Sequence, residues 1–236
     1  MKNRTNSEDL GLSLRRNFVY CAPMHDQWEN IKINCQGLSC VRGGRRVYSQ
    51  LNFKVSSGQM LVLRGGNGCG KSTLLRQVAG FLPVYDGTIT LNHAADEILL
   101  EDNIHYAGHL SGVKPYLSVS ENLLLWSQLF EGTSDLDQAL LFWGLTALKD
   151  TPARLLSEGQ KRRVGLARLM LAPRQVWLLD EPNVGLDAEN LARLDDAISK
   201  HLNMGGMVLM ASHVAVNVEH SVELDMSALK PAEQVA

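Results

Sequence analysis

The stretch RGGNGCGKSTLLRQVAG, Arg64 to Gly80, decides the fold. Gly65, Gly70, Lys71 and Ser72 have the G-x-x-x-x-G-K-S spacing of a phosphate-binding loop, with the short apolar run Met60 to Leu63 ahead of it and a helical stretch behind. Strand, glycine loop and helix in this order open an α/β phosphate-binding fold. The glycines let successive backbone N–H groups turn inward around phosphate oxygens, and the helix N-terminus adds its positive dipole end. The candidate phosphate-binding set is Gly65, Gly66, Asn67, Gly68, Cys69, Gly70, Lys71, Ser72 and Thr73, with Cys69 a small filler at the variable position. In such loops the lysine reaches the β- and γ-phosphates and the hydroxyl ligates Mg²⁺, roles that fall here to Lys71 and Ser72.

Downstream, Val176 to Leu179 and Met207 to Met210 are compact apolar runs suited to parallel strands buried on both faces, separated by a helix over Asn190 to Leu202. Asp180 and Glu181 end the first run, which places them at the carboxyl edge of the sheet, where ligands of open α/β folds bind. There Asp180 would hold Mg²⁺ through water, and Glu181 would orient and polarise an attacking water. Upstream, Ile31 to Val41 and Leu51 to Val55 alternate apolar and polar residues across the turn-prone RGGRR of Arg42 to Arg46, the pattern of an antiparallel hairpin. In the middle, Ser118-x-x-Glu121 is a capping box ahead of an apolar helix, and Leu136 to Leu148 is a second helical stretch. The expected organisation is a loosely ordered extension over 1–30, one domain over 31–222 with a helical insert at about 113–165, and a tail over 223–236.

At 236 residues, 45% of them hydrophobic and 20% charged, the composition is that of one globular α/β domain. Lys+Arg 23 against Asp+Glu 25 gives a net charge of -2, so no overall positive field points to nucleic acid. No stretch approaches the roughly 18 to 20 apolar residues that span a bilayer, so a membrane role needs another polypeptide to supply the span. Cys21, Cys35, Cys40 and Cys69 show no C-x-x-C pairing, which suits a reducing compartment. The first 30 residues mix basic and acidic side chains without an apolar core, unlike a secretory signal.

LLSEGQKRRVGLARLML, Leu155 to Leu171, places Ser157 and Gly159 at a helix start, where hydroxyl, amides and dipole meet one anion. Taken alone, Lys161, Arg162 and Arg163 read as a solvated helix face. With the loop upstream, the chain resembles the ATP-binding cassette (ABC) family across nearly all of Ile31 to Val218. LSEGQ is similar to that family's signature motif, VWLLDEP to its Walker B strand, VGLD to its D-loop and the histidine of MASH to its switch histidine. The resemblance implies an α/β P-loop NTPase of ABC type: a mixed sheet core with an N-terminal antiparallel β-subdomain and a helical insert. It implies ATP and Mg²⁺ as ligands, Lys71, Glu181 and His213 as catalytic residues, and Gln160 and Asp187 as further nucleotide-site residues. It also implies a head-to-tail homodimer, in which Ser157 and Gly159 of one copy close on the γ-phosphate held by the other, and integral membrane partners. The chain would then lie peripherally on the cytoplasmic face of an inner membrane, or on the matrix side of the mitochondrial inner membrane.

IHYAGHLSG, Ile104 to Gly112, carries two histidines four apart, yet Ile104 to Ala107 reads as a strand ended by Gly108, so they share no helical face. His105 reads as structural. Counting back from LSVSENL, His109 takes the place of the family's glutamine that touches Mg²⁺ and the attacking water on the loop coupling to the membrane subunit. The GH dipeptide before Gly112-x-Lys114, the brief insert and LARL are similar to the ATP-binding subunits of haem exporters in cytochrome c maturation. That resemblance implies haem export or release of haem from a chaperone, with haem not bound by this chain; another small ABC exporter or a non-transport ATPase scaffold are the alternatives. Three places depart from the family pattern. Cys40, Val41 and Arg42 stand where an aromatic stacks on adenine, Glu158 replaces a small residue and must point away from phosphate, and Asn183 to Gly185 differ from the commonest D-loop.

Overall fold

The computed structural model describes residues 28, 30–93, 96–132, 135–214, 218–219, 221–228 and 232–234. Of the extension expected over 1–30, Trp28 and Asn30 fall within these, and Trp28 is buried in the core. The strands are β1 (Ile31–Arg42), β2 (Arg45–Ser56), β3 (Met60–Arg64), β4 (Asp86–His93), β5 (Asp96–Ile98), β6 (Ile104–Ala107), β7 (Val176–Asp180), β8 (Met207–Ala211), β9 (Ser221–Asp225) and β10 (Ala232–Gln234). The helices are α1 (Lys71–Val78), α2 (Val119–Leu129), α3 (Leu136–Phe142), α4 (Glu158–Ala167) and α5 (Ala188–Asn203).

The strands divide into two sheets. One is antiparallel, in the order β10-β2-β1-β4-β5, and begins with the predicted hairpin, whose second strand starts at Arg45 rather than Leu51. The other is parallel, β6-β7-β8-β3-β9, and its β7 (VWLLD) and β8 (MVLMA) are buried at every position. Alternate side chains of a strand point to opposite faces, and the core splits accordingly. Val62, Ala107, Trp177, Leu179, Val208 and Met210 pack with the helical residues Leu123, Leu140, Val164 and Ile198. Leu61, Leu63, Val176, Leu178 and Leu209 pack with α1 and the antiparallel sheet through Leu74, Leu75, Ile33 and Tyr48. The parallel sheet is thus covered on both faces, as its apolar runs require.

Two further boundaries shift. The helix over Leu136 to Leu148 stops at Phe142 because Gly144 takes φ 61, a left-handed residue that ends it, and a separate 3-10 turn covers Thr146–Leu148. The expected tail from 223 is crossed by β9, which pairs in parallel with β3 from Met60↔Ser221 to Arg64↔Asp225 and so completes the edge of the core sheet. The expected capping box of Ser118 with Glu121 forms, and a second one joins Ser157 with Gln160 at the start of α4. His105 points to the helical face, as alternation requires. It is 2% exposed, sits edge-on to Phe130 at 4.7 Å, and its Nε2–H donates to the Ala172 carbonyl at 2.5 Å.

Candidate active site

The carboxyl ends of parallel strands converge on one edge of the sheet, and three of them carry polar residues. β3 runs into Gly65–Gly70, β7 ends in Asp180 and Glu181, and β8 is followed by Ser212 and His213. Between them lies a cleft of ≈ 340 Å³ lined by Asn67, Gly68, Gly70, Lys71, Ser72, Thr73, Glu181, Val184 and His213. Gly70 stands at the N-cap of α1 at φ 105 and supplies no side-chain cap, so the first-turn N–H groups of α1 are unopposed by any side chain at the cleft.

Lys71 is only 7% exposed, and its ammonium donates to the carbonyls of Gly65 at 2.7 Å and Gly66 at 3.1 Å. It also lies 3.2 Å from His213 Nε2, a contact in which the neutral ring accepts. The same Nε2 is 3.3 Å from Glu181 Oε1, a contact that needs a hydrogen on that nitrogen. His213 therefore shares one nitrogen between a cation and a carboxylate, and whether that nitrogen carries a hydrogen chooses the partner. When that nitrogen carries no hydrogen, Glu181 Oε1 is a buried acceptor without a hydrogen bond among the described residues, an oxygen placed to receive a proton. Glu181 holds φ 49, an uncommon conformation for a side-chain-bearing residue, with its amide donating to the Ala211 carbonyl at 3.0 Å.

Asp180 is 2% exposed and accepts from Ser72 Oγ at 2.7 Å and from the Tyr106 hydroxyl at 3.3 Å. Arg76 in turn donates to the Tyr106 oxygen at 3.4 Å. A hydroxyl and a carboxylate in contact are hard oxygen donors of the kind Mg²⁺ takes, so Ser72 and Asp180 fit that ion. Burial pushes the Tyr106 phenol above its ordinary pKa, so it remains a donor to Asp180.

The remaining predicted residues stand apart from this lining. Ser157 caps α4 by accepting from the Gln160 amide at 3.2 Å, while Gln160 Oε1 accepts from the Ser157 amide at 2.8 Å. Glu158 does point away, paired with Lys161 at 2.8 Å. Gly159 packs against the D-loop, where an added Cβ would come within 2.8 Å of the Gly185 carbonyl. Asp187 caps α5, accepting from the Asn190 amide at 2.9 Å, and those bonds hold its carboxyl below the usual range. His109 is exposed on the loop after β6, and among the described residues its carbonyl, not its ring, is engaged. At the hairpin, Cys40 is buried and Arg42 exposed, while Val47 and Tyr48 pack against Gly70. Tyr48 is fully buried, its hydroxyl donating to Gln77, and so presents no face to a base.

Sequence reasoning missed Tyr106 and misplaced Arg162. Tyr106 carried no motif, and Arg162, placed with the solvated face, is 6% exposed, its guanidinium turned inward onto backbone carbonyls.

A family model described as ABC transporter matches residues 48–184. The "Cytochrome c biogenesis ATP-binding export protein CcmA" of Paramagnetospirillum magneticum is 42% identical over 213 residues, covering 86% of this chain and 97% of that protein. Its namesake in Ruegeria pomeroyi is 45% identical over 185 residues, covering 78% of this chain and 86% of the relative. Among solved structures, a putative ABC transporter (ATP-binding protein) from Pyrococcus furiosus has the same fold, with a TM-score of 0.73 at 23% identity, covering 84% of this chain and 98% of that one.

Proposed function

The chain belongs to the ABC transporter family, and from that membership we propose that it is the ATP-hydrolysing subunit of a complex that energises haem export, or release of haem from a chaperone, in c-type cytochrome biogenesis. The observation that carries the ATPase is the cleft that gathers Lys71, Ser72, Glu181 and His213, with Asp180 bonded to Ser72 behind it. The similarity to export proteins of cytochrome c biogenesis over most of both chains supports the task.

The residues divide the labour as follows. The loop Gly65 to Thr73 cradles the phosphate chain of ATP, and the Lys71 ammonium neutralises its β- and γ-phosphates. Mg²⁺, held by Ser72 and Asp180, would supply further neutralisation of the phosphate oxygens. Glu181 Oε1 orients a water against the γ-phosphorus and takes its proton as the new P–O bond forms and the bond to the β–γ bridging oxygen breaks, leaving ADP and inorganic phosphate. His213 donates to the γ-phosphate when protonated, or relays between it and Glu181. His109 contributes from the loop that meets the membrane partner.

A second copy completes the site. Ser157 and Gly159 at the N-terminus of α4, with Gln160 and Asp187 beside them, approach the γ-phosphate bound by the other chain in a head-to-tail dimer. Integral membrane subunits supply the span in this reading, and this chain docks peripherally on the cytoplasmic face of the inner membrane, or on the matrix side in a mitochondrion; among the described residues no helix is long and apolar enough to cross a membrane. Haem is handled by those partners.

Glu181→Gln tests the reading. It is expected to lower ATP turnover by about 100-fold or more while allowing an ATP-bound dimer in size-exclusion chromatography. Cells carrying only this form should lose covalent haem in c-type cytochromes with b-type haem intact. Unchanged hydrolysis would sink the catalytic assignment, and normal c-type haem with turnover abolished would sink the assigned task.

A further inference from the structure

We propose that Arg162 is a positioning residue for hydrolysis, locking the backbone of Glu181 to the loop after β6 and to α4, the helix that closes on the second nucleotide. The inference rests on the ATPase reading and deepens it. Arg162 lies in the second turn of α4 and is 6% exposed, and among the described residues its guanidinium donates to five carbonyls in two loops. Nη1 reaches the oxygens of Gly108 at 2.6 Å and His109 at 3.2 Å. Nη2 reaches those of Asp180 at 3.2 Å and Glu181 at 2.5 Å, and Nε reaches Pro182 at 3.2 Å.

These carbonyls lie where β6 and β7 run out and the sheet ladder has little left to offer them, so each needs another donor. A planar fork with five N–H groups can serve two loops at once, which a single ammonium cannot. The effect centres on Glu181. Its amide is fixed by the Ala211 carbonyl and its own carbonyl by Arg162 and the Val184 amide, so the peptides on both sides of an uncommon φ 49 are pinned. That conformation aims the carboxylate at His213 and the cleft. A strained residue keeps such a conformation only when its surroundings over-determine it.

The same guanidinium makes the three parts move together. α4 carries Ser157 and Gly159 at its start, one turn before Arg162, and the loop after β6 carries His109. Displacement of either shifts the Glu181 carbonyl through shared hydrogen bonds, so dimer closure and partner docking both bear on the angle of the carboxylate. Burial lowers the Arg162 pKa from its ordinary value, with Asp180 and Glu181 opposing the shift.

The test is Arg162→Lys and Arg162→Gln, each assayed for ATP turnover, KM, nucleotide affinity and thermal midpoint. Loss of the fork is expected to lower kcat about 10- to 100-fold, the scale of a 1 Å misplacement of a catalytic group, with KM and ATP affinity within about twofold, since Arg162 does not line the cleft. A residue that only supports the fold would instead lower the thermal midpoint and the active fraction while sparing kcat per folded site. A kcat within twofold of wild type in the folded variant overturns the proposal alone. Wild-type protein that hydrolyses no ATP overturns the ATPase reading and this one with it.

Discussion

Two helix N-termini were expected to meet phosphate, and the molecule finishes them in opposite ways. α1 begins after Gly70 with no side-chain cap and no acidic residue in its first turn. α4 begins after Ser157 with a closed capping box and Glu158 in its first turn. Their peptide dipoles have the same sign, yet only the first leaves its donors unanswered by side chains. A capped helix end is a stable structural element in the single chain that can still offer a hydroxyl, whereas an uncapped end beside a buried lysine leaves its donors open to an anion. In the proposed mechanism α1 binds phosphate within one chain, and α4 meets the phosphate of a second copy.

The largest expected effect would blur that contrast unless it is separated first, because it touches the scaffold under both helices. His105 and His201 are fully buried, and burial pulls each imidazole from its ordinary value of 6.5 down to about 3. Between those values the unfolded chain binds a proton at each site and the folded chain does not. Stability is therefore full above about pH 6.5 and falls as the pH is lowered, by up to about 1.4 kcal/mol per pH unit for each histidine. Urea unfolding between pH 6.5 and 5 should approach an uptake of two protons. A pH-independent midpoint would mean the rings are charged in the folded state, and a steeper slope would bring the cleft itself into the response.

Next in size is Lys71→Ala, which removes the cation from the uncapped end. Charge-assisted hydrogen bonds are worth about 1.5–3 kcal/mol, so ATP affinity measured by calorimetry should fall by about 10- to 100-fold. Affinity within twofold of wild type would erase the distinction between the two helix ends.

What was legible follows the same division between local and distant interactions. The loop at Gly65 to Thr73, β7, β8 and the capping box of Ser118 with Glu121 are written in neighbouring residues, and the sequence carried them. The strands β4, β5, β9 and β10 were not read, since β9 is exposed at most positions and the others lie at or near the edge of the antiparallel sheet, where apolar alternation is weak. Tyr106 meets Asp180 across 74 residues and Arg162 meets Gly108 across 54. Neither spacing leaves a periodic trace. Arg162 also looked solvated because charge in a helix is ordinarily exposed, and only the carbonyls at two strand ends make its burial favourable.

The smallest effect sharpens the comparison most. Ser157→Ala removes the cap of α4, at a cost of about 1 kcal/mol, which in a domain of this size lowers the thermal midpoint by about 2–4 °C. ATP binding to the single chain should be unchanged, because Ser157 lies outside the cleft, while ATP-dependent pairing weakens. Stability loss alone could produce that weakening, so Ser157→Asp separates the two causes. Aspartate caps a helix as well as serine does and adds favourable charge at the N-terminus, so the midpoint should return to wild type or above. In the proposed dimer the same carboxylate would face the γ-phosphate of the partner copy with like charge, so turnover and ATP-dependent dimerisation should fall below those of Ser157→Ala. Turnover that rises and falls with the midpoint across the three proteins would make the start of α4 a structural cap and nothing more. Turnover that parts from stability at aspartate makes it the second half of the site.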